Sequence, residues 1–305
     1  MQFPEGLKEK ASEISAKLEK EGNEVFISAS PCFGACDLAL AEAEAIGAEK
    51  IVHYGHASFP IANKSGITIE FVEWNLEMSL TPVLKKAIED ERFKKCETVA
   101  LVTTVQHVKK ISEMRKLLEE NGKRVFVGKP GPKAKYAGQV LGCDPGAAIS
   151  IEKDADCILY VGGGNFHPIG IAVKSRKQIL VADPYSGEVK WMDNEISGYE
   201  KKRKGLLNRA LQAKNFGIIV STKPGQQSLE ASIALKKALA KVGKKAEILV
   251  ANFVSPEPLM NFRTFDAYIN TACPRISIDD SGSYDKPMIN LDEALLLVKL
   301  LKVNK

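Results

Sequence analysis

The sequence predicts an α/β protein made of three structurally related Rossmann-like domains, with parallel sheets in a pseudo-threefold arrangement around a central site. Two observations carry this. A phrase of amphipathic helix, terminal glycine and apolar strand occurs three times, and each copy continues through a loop and a helical stretch to another apolar strand. Continuously apolar strands alternating with helices belong to parallel sheets covered on both faces.

In the first copy Leu7, Ala11, Ile14 and Leu18 recur at helical spacing. Gly22 ends that helix, because glycine takes the left-handed position after a last turn without steric cost. Val25-Phe26-Ile27 then reads as a buried strand, and Lys50-Ile51-Val52-His53-Tyr54 as the later one. The second copy gives Leu117, Leu118, Gly122, Val125-Phe126-Val127 and then Cys157-Ile158-Leu159-Tyr160-Val161. The third gives Leu235, Leu239, Gly243, Ile248-Leu249-Val250 and then Ala267-Tyr268-Ile269-Asn270. The glycines are offset by 100 and 121 residues. Copies two and three also have a strand before their first helix, Val99-Ala100-Leu101-Val102 and Gly217-Ile218-Ile219-Val220. Only Met1-Gln2-Phe3 precede Pro4, so the first sheet is expected to lack most of that element. The spacing sets domains at 1–76, 77–182 and 183–305.

The 305 residues are 45% hydrophobic and 27% charged, an ordinary globular balance that excludes disorder and collagen-like repeats. Net charge is +5 and is spread along the chain, which argues against direct nucleic-acid binding. The densest run, Lys201-Lys202-Arg203-Lys204, reads as a solvated helix face. No apolar run approaches the ~18–20 residues needed to cross a bilayer, and no basic-then-apolar leader opens the chain. The expectation is a soluble cytoplasmic protein with no membrane partner. Its six cysteines are then reduced, and serve as buried fillers, nucleophiles or metal ligands.

Ligands of open α/β folds gather beyond the carboxyl ends of parallel strands. Cys36, Cys143 and Cys273 each fall in such a loop, one per copy. Cys157 sits inside an apolar strand and reads as core, while Cys96 follows Lys94 and Lys95 and reads as peripheral. Cys32 shares its loop with Cys36 and competes with it. Cys36 is preferred because it shares a small-residue–Cys–Asp pattern with Cys143. Three loop thiolates fit a 4Fe–4S cluster with one open iron. They also fit a zinc site completed by His56, His107 or His167, or packing and thiol chemistry without metal. Spacing leaves these open. Polar loop groups gather in the same places: Gln106 and His107 after one strand, Gly162-Gly163-Gly164 after another, and Gln226 after a third. Glycine-rich loops free backbone amides for a carboxylate or phosphate, or form tight turns. His53, within or at the end of its strand, is as readily structural as functional.

Taken in order, Pro4-Glu5-Gly6-Leu7, Gly34-Ala35-Cys36-Asp37, Thr103-Thr104 with Gln106-His107, and Gly138-Gln139-Val140-Leu141-Gly142-Cys143 form one pattern. It continues through Phe166-His167-Pro168, Asp183-Pro184-Tyr185, Gly225-Gln226 and Ala272-Cys273-Pro274-Arg275. The chain resembles, nearly end to end, the archaeal diphthamide-synthesis radical enzymes, the 2-(3-amino-3-carboxypropyl)histidine synthases. The resemblance implies that Cys36, Cys143 and Cys273 bind a 4Fe–4S cluster at the centre of three domains. It implies S-adenosylmethionine as co-substrate, a histidine of translation elongation factor 2 as acceptor, a homodimer, and an electron donor that the sequence does not identify. Gln106, His107, the Gly163 and Gly164 backbone and Gln226 are then candidates for holding the amino-acid or nucleoside moiety. Ordinary radical S-adenosylmethionine enzymes use a compact C-x3-C-x2-C motif, and here Ala39 stands at the third position after Cys32 and Cys36. Phe33 stands where the family often has Tyr, so no role for that hydroxyl carries over. The alternatives are a zinc-containing nucleotide-binding protein and a non-catalytic scaffold subunit of the same pathway.

Overall fold

The computed structural model describes residues 1–303 except 62, 64 and 281. They form two compact units, Met1–Asp193 and Asn194–Lys305, both α/β with mostly parallel sheets.

In the first unit a small sheet pairs β1 (Lys50–Tyr54) in parallel with β2 (Thr68–Val72). Gln2 extends it by a single bridge, donating its N–H to the Val52 carbonyl at 3.0 Å and accepting from the Tyr54 N–H at 3.0 Å. Phe3 is buried and stacks on Tyr54 with ring centroids 4.5 Å apart, against Leu7, Ala11 and Ile14 of the amphipathic helix. The buried strand expected at Val25-Phe26-Ile27 does not form. Among the described residues that segment's backbone hydrogen bonds go to Met1, through the Phe26 carbonyl and the Ser28 N–H, and Phe26 and Ile27 are 49% and 43% exposed. Two hydrogen bonds to a single residue do not make a ladder.

The larger sheet of this unit contains β3 (Thr98–Thr103), β4 (Arg124–Phe126), β5 (Cys157–Val161), β6 (Gln178–Ala182) and β7 (Val189–Trp191), in the order β4-β3-β5-β6-β7. Four strands are parallel and β7 is antiparallel to β6, a departure from the all-parallel expectation. The cause is a short turn in which Gly187, at φ +70°, donates to the Asp183 carbonyl. So short a connection can only reverse the chain, because a parallel return needs a crossover of a dozen residues or more. Leu101 and Leu159 pack with Leu84, Phe93, Met114 and Leu118 from the flanking helices. Cys157 joins that core as expected. Cys96 corrects the expectation of a peripheral thiol, being only 8% exposed and part of the same cluster. Asp90 caps the short helix Glu91–Lys94, accepting the Arg92 and Phe93 N–H groups, and this turn carries Phe93 and Cys96 inward.

The second unit has one parallel sheet of β8 (Asn215–Ser221), β9 (Lys245–Ala251), β10 (Ala267–Asn270) and β11 (Met288–Asn290), ordered β11-β10-β8-β9. Helices Leu229–Lys241 and Leu291–Val303 bury Leu235, Leu239 and Leu297 against Phe216 and Ile218. The two units repeat a local device. Gly122 and Gly243 end helices at φ +80° and +81°, and the lysine after each reaches back to orphan carbonyls. Lys123 Nζ donates to Phe93 and Cys96, and Lys244 Nζ to Leu211 and Ala213. Lys201, Lys202 and Lys204 are exposed as expected, whereas Arg203 is half-buried and pairs with Glu293 at 2.6 Å and with Asp292. Among the described residues no helix is long and apolar enough to cross a membrane.

Candidate functional site

The six thiols divide by burial. Cys32, Cys96 and Cys157 are buried, while Cys36, Cys143 and Cys273 are partly exposed. The Cys36 turn is closed by the Asp37 N–H donating to the Gly34 carbonyl at 2.9 Å. Buried Gln2 anchors it, donating its side-chain amide to the Asp37 carbonyl at 2.7 Å and accepting from the Ala39 N–H at 3.1 Å. The few residues ahead of the first helix therefore position the first loop thiol.

Cys143 sits in a turn where Leu141 and Asp144 exchange backbone hydrogen bonds, both at 2.9 Å. The Asp144 carboxylate accepts from the Lys133 N–H at 2.7 Å and the Gly146 N–H at 3.0 Å. Two glycines let the helix Phe166–Ala172 lie directly on this turn. A Cβ at Gly142 would come within 2.1 Å of the Phe166 ring, and one at Gly170 within 2.4 Å of the Gly142 carbonyl oxygen. Burial pushes the Cys143 thiol pKa up, and the nearby Cys36 and Asp144 add to that rise against the Lys133 cation. Cys36 and Cys143 are thus electrostatic neighbours within the first unit.

This donor set fits an iron–sulfur cluster. Thiolates bind such clusters, and a thiol whose pKa is raised by burial keeps its proton until a metal displaces it. His56, considered above as a fourth ligand, instead has its Nδ1 3.0 Å from His53 Nε2, and burial lowers the two imidazole pKa values to about 4 and about 3. His167 stacks on Tyr160 with centroids 5.9 Å apart.

The other loop candidates of this unit share one sheet edge. Thr103 of β3 pairs with Val161 of β5, so the loops holding Gln106 and His107 and holding Gly163 and Gly164 leave neighbouring strands side by side. Gln106 is half-buried, with its carbonyl accepting from the Leu76 N–H. His107 is fully buried, its Nε2 3.1 Å from the Tyr185 hydroxyl and its Nδ1 without a hydrogen-bond partner. Burial, aided by Lys110, lowers its pKa, with Asp183 opposing. Gly164 is exposed at φ +74°, a conformation that favours glycine. A Cβ on Gly163 would lie 2.9 Å from the Tyr185 ring. Tyr185 therefore touches both loops, and strand-by-strand reading did not single it out as a site residue. Its sequence signal is Asp183-Pro184-Tyr185, which directly follows the apolar strand β6.

In the second unit Gln226 and Cys273 likewise follow adjacent strands, since Asn270 of β10 pairs with Ile219 of β8. The Gln226 N–H donates to the Lys223 carbonyl at 3.0 Å. Asn270 fixes the Cys273 loop, donating to the Cys273 carbonyl at 2.8 Å and accepting from the Ala272 N–H at 3.0 Å.

Residues 3–305 match a family model described as "Putative diphthamide synthesis protein". The chain is 35% identical over 300 residues to the 2-(3-amino-3-carboxypropyl)histidine synthase of Pyrococcus horikoshii, covering 98% of this chain and 85% of that one. It is 30% identical to the synthase of Methanocaldococcus jannaschii, over 98% of this chain and 83% of the relative. Among solved structures, the crystal structure of Dph2 from Pyrococcus horikoshii with a 4Fe–4S cluster superposes with a TM-score of 0.90 at 34% identity, covering 98% of this chain and 85% of that one.

Proposed function

The chain belongs to the diphthamide synthesis family, and from that premise we propose that it is a 2-(3-amino-3-carboxypropyl)histidine synthase. It transfers a 3-amino-3-carboxypropyl group from S-adenosylmethionine to C2 of a histidine of translation elongation factor 2, the first step of diphthamide formation. The observation that carries this reading is the division of the six cysteines: the partly exposed three all lie in loops, Cys36 ahead of the helix Leu40–Ala45 and Cys143 and Cys273 beyond strands β4 and β10. Cys36, Cys143 and Cys273 hold a 4Fe–4S cluster. When bound, that group supplies the single electron that breaks the sulfonium bond to the methionine γ-carbon.

The chain's own residues do the rest. Cys143 releases its thiol proton on loading, and the Lys133 cation favours the resulting thiolate. The Gly163 and Gly164 backbone offers N–H groups to the methionine carboxylate, the kind of anion that a glycine-rich turn accommodates. Gln106, His107 and Gln226 orient the remaining polar groups, and Tyr185 braces His107. Positioning is the protein's main contribution, because the cofactor carries the redox chemistry. The reading extends to a cytoplasmic homodimer of three-domain protomers served by an external electron donor.

Anaerobic reconstitution with iron and sulfide, reduction, and addition of S-adenosylmethionine tests it. The expected product is methylthioadenosine. Formation of 5′-deoxyadenosine as the main product overturns the choice of bond.

A further inference from the structure

The loop that carries Cys36 holds a second thiol in different surroundings. Cys32 is 2% exposed and His53 fully buried, and with His56 they bring one sulfur and two ring nitrogens within 4.8 Å of one another. The three come from separate stretches of the first unit: the long loop before the helix Leu40–Ala45, strand β1, and the turn that follows it.

Hydrogen bonding fixes which histidine nitrogen is available. Gln2 Nε2 donates to the Asp37 carbonyl at 2.7 Å, so Gln2 Oε1 is the oxygen that takes the Ala39 N–H at 3.1 Å. His53 Nδ1 lies 3.0 Å from that same Oε1. An amide oxygen only accepts, so Nδ1 carries the hydrogen and neutral His53 keeps its lone pair on Nε2. That lone pair faces His56 Nδ1 at 3.0 Å. A histidine held through Nδ1–H by an oxygen, with Nε2 directed into a cluster of donors, has the outer-shell arrangement of a metal-ligating imidazole.

The distances suit a small ion. Zinc bonds of about 2.0–2.1 Å to nitrogen and about 2.3 Å to sulfur put tetrahedral ligand atoms roughly 3.3–3.6 Å apart. The two nitrogens already stand at 3.0 Å, and the sulfur closes the rest by a side-chain shift of order 1 Å. One thiolate with two imidazoles selects a borderline-soft divalent ion over magnesium or calcium.

We propose that Cys32, His53 and His56 bind one Zn²⁺ ion per chain, with a fourth position left for water. Binding replaces the Cys32 thiol proton by the metal, and that proton leaves to solvent. The ion ties the loop bearing Cys36 to strand β1. It is a site separate from the Cys36, Cys143 and Cys273 set, so it stands whether or not those three hold a cluster.

Cobalt(II) is the probe, added without air to the full chain with Cys36, Cys143 and Cys273 all replaced by Ser. One Co²⁺ per chain, with tetrahedral visible bands and a thiolate charge-transfer band displaced by Zn²⁺, is expected. Adding Cys32→Ser should remove the charge-transfer band, and adding His56→Gln should weaken binding by about tenfold or more. A folded triple variant that binds no Co²⁺, or an unchanged spectrum after Cys32→Ser, overturns the proposal. Should the triple variant fail to fold, zinc and iron are measured in the unsubstituted chain and in Cys32→Ser alone. Loss of about one zinc with iron retained supports the site. Loss of iron instead, or no loss of zinc, refutes it.

Discussion

Asp156 and Asp266 make the same contact in their respective units. Asp156 Oδ2 accepts the backbone N–H groups of Glu97 and Thr98 at 2.9 and 2.8 Å, and Asp266 Oδ2 accepts those of Lys214 and Asn215, both at 2.9 Å. Each carboxylate, one residue ahead of a strand or its lead-in, locks the start of the neighbouring central strand. These hydrogen bonds hold both carboxyl groups below the ordinary value of 3.8. A depressed carboxyl pKa contributes stability above the unfolded value and loses it as pH falls through the folded one. The double variant Asp156→Asn with Asp266→Asn should therefore be less stable at pH 7, by about 1 kcal/mol or less per site given their exposure. It should lose less on acidification below pH 4. Urea midpoints at pH 7 and pH 3 check this, and parallel acid profiles for both proteins contradict it.

The cysteine series separates ligands from filler. Cys36→Ala, Cys143→Ala and Cys273→Ala should each lose iron after anaerobic reconstitution and form no methylthioadenosine. Cys157→Ala should keep both while losing about 1–2 kcal/mol from the core it helps fill. Iron per chain, product by chromatography and thermal midpoints provide the three readings. Iron binding that survives Cys36→Ala removes that loop from the ligand set.

Much of the fold was legible because several strands carry largely apolar runs. Residues 50–54, 157–161 and 267–270 are strands as read. Of the strands that escaped, β6 is interior to its sheet, whereas β2 and β7 lie at sheet edges. β2 carries Thr68 and Glu70 on its half-exposed face, and β7 is three half-buried residues, so neither shows a buried run. The segment around Phe26 failed in the opposite sense, because its apolar residues promised a strand and only two backbone hydrogen bonds, both to Met1, form there. Cys143 and Cys273 were legible for a simple reason: position after a strand is a property of order along the chain, whereas Cys36 lies in a loop whose expected strand does not form. Tyr185 was not legible, since its contact with His107 depends on a hairpin whose return strand, β7, carries a weak sequence signal.

Gly142 offers a geometric test of the Cys143 turn. Any side chain there meets the Phe166 ring, and the neighbouring Gly170 already touches the turn's backbone, leaving it nowhere to retreat. Overpacking of this kind costs about 1–3 kcal/mol. Gly142→Ala should lower iron occupancy by displacing Cys143. Adding Phe166→Ala, which empties the space, should restore part of it. Equal iron content in all three proteins, measured after identical reconstitution, would show that the turn tolerates displacement.

The His107–Tyr185 contact gives the most discriminating prediction about the proposed co-substrate site. His107 is buried with Nδ1 already lacking a partner, so Tyr185→Phe leaves both ring nitrogens without a side-chain hydrogen bond. Leaving one buried polar atom unpaired costs about 1–3 kcal/mol. Tyr185 is itself 55% exposed, so its hydroxyl can be removed without opening the core, and the ring stays to pack on Gly163. If this pair positions S-adenosylmethionine, the cost falls on binding: KM should rise by about five- to tenfold, since about 1.4 kcal/mol is tenfold. The rate at saturation should stay within about twofold, because an interaction made equally in ground and transition states leaves kcat alone. Tyr185→Ala should do the same or worse, while Tyr284→Phe, buried in the second unit's own core cluster, should leave KM unchanged. An unaltered KM in Tyr185→Phe, with kcat lowered instead, would move Tyr185 from holding the co-substrate to a step after binding.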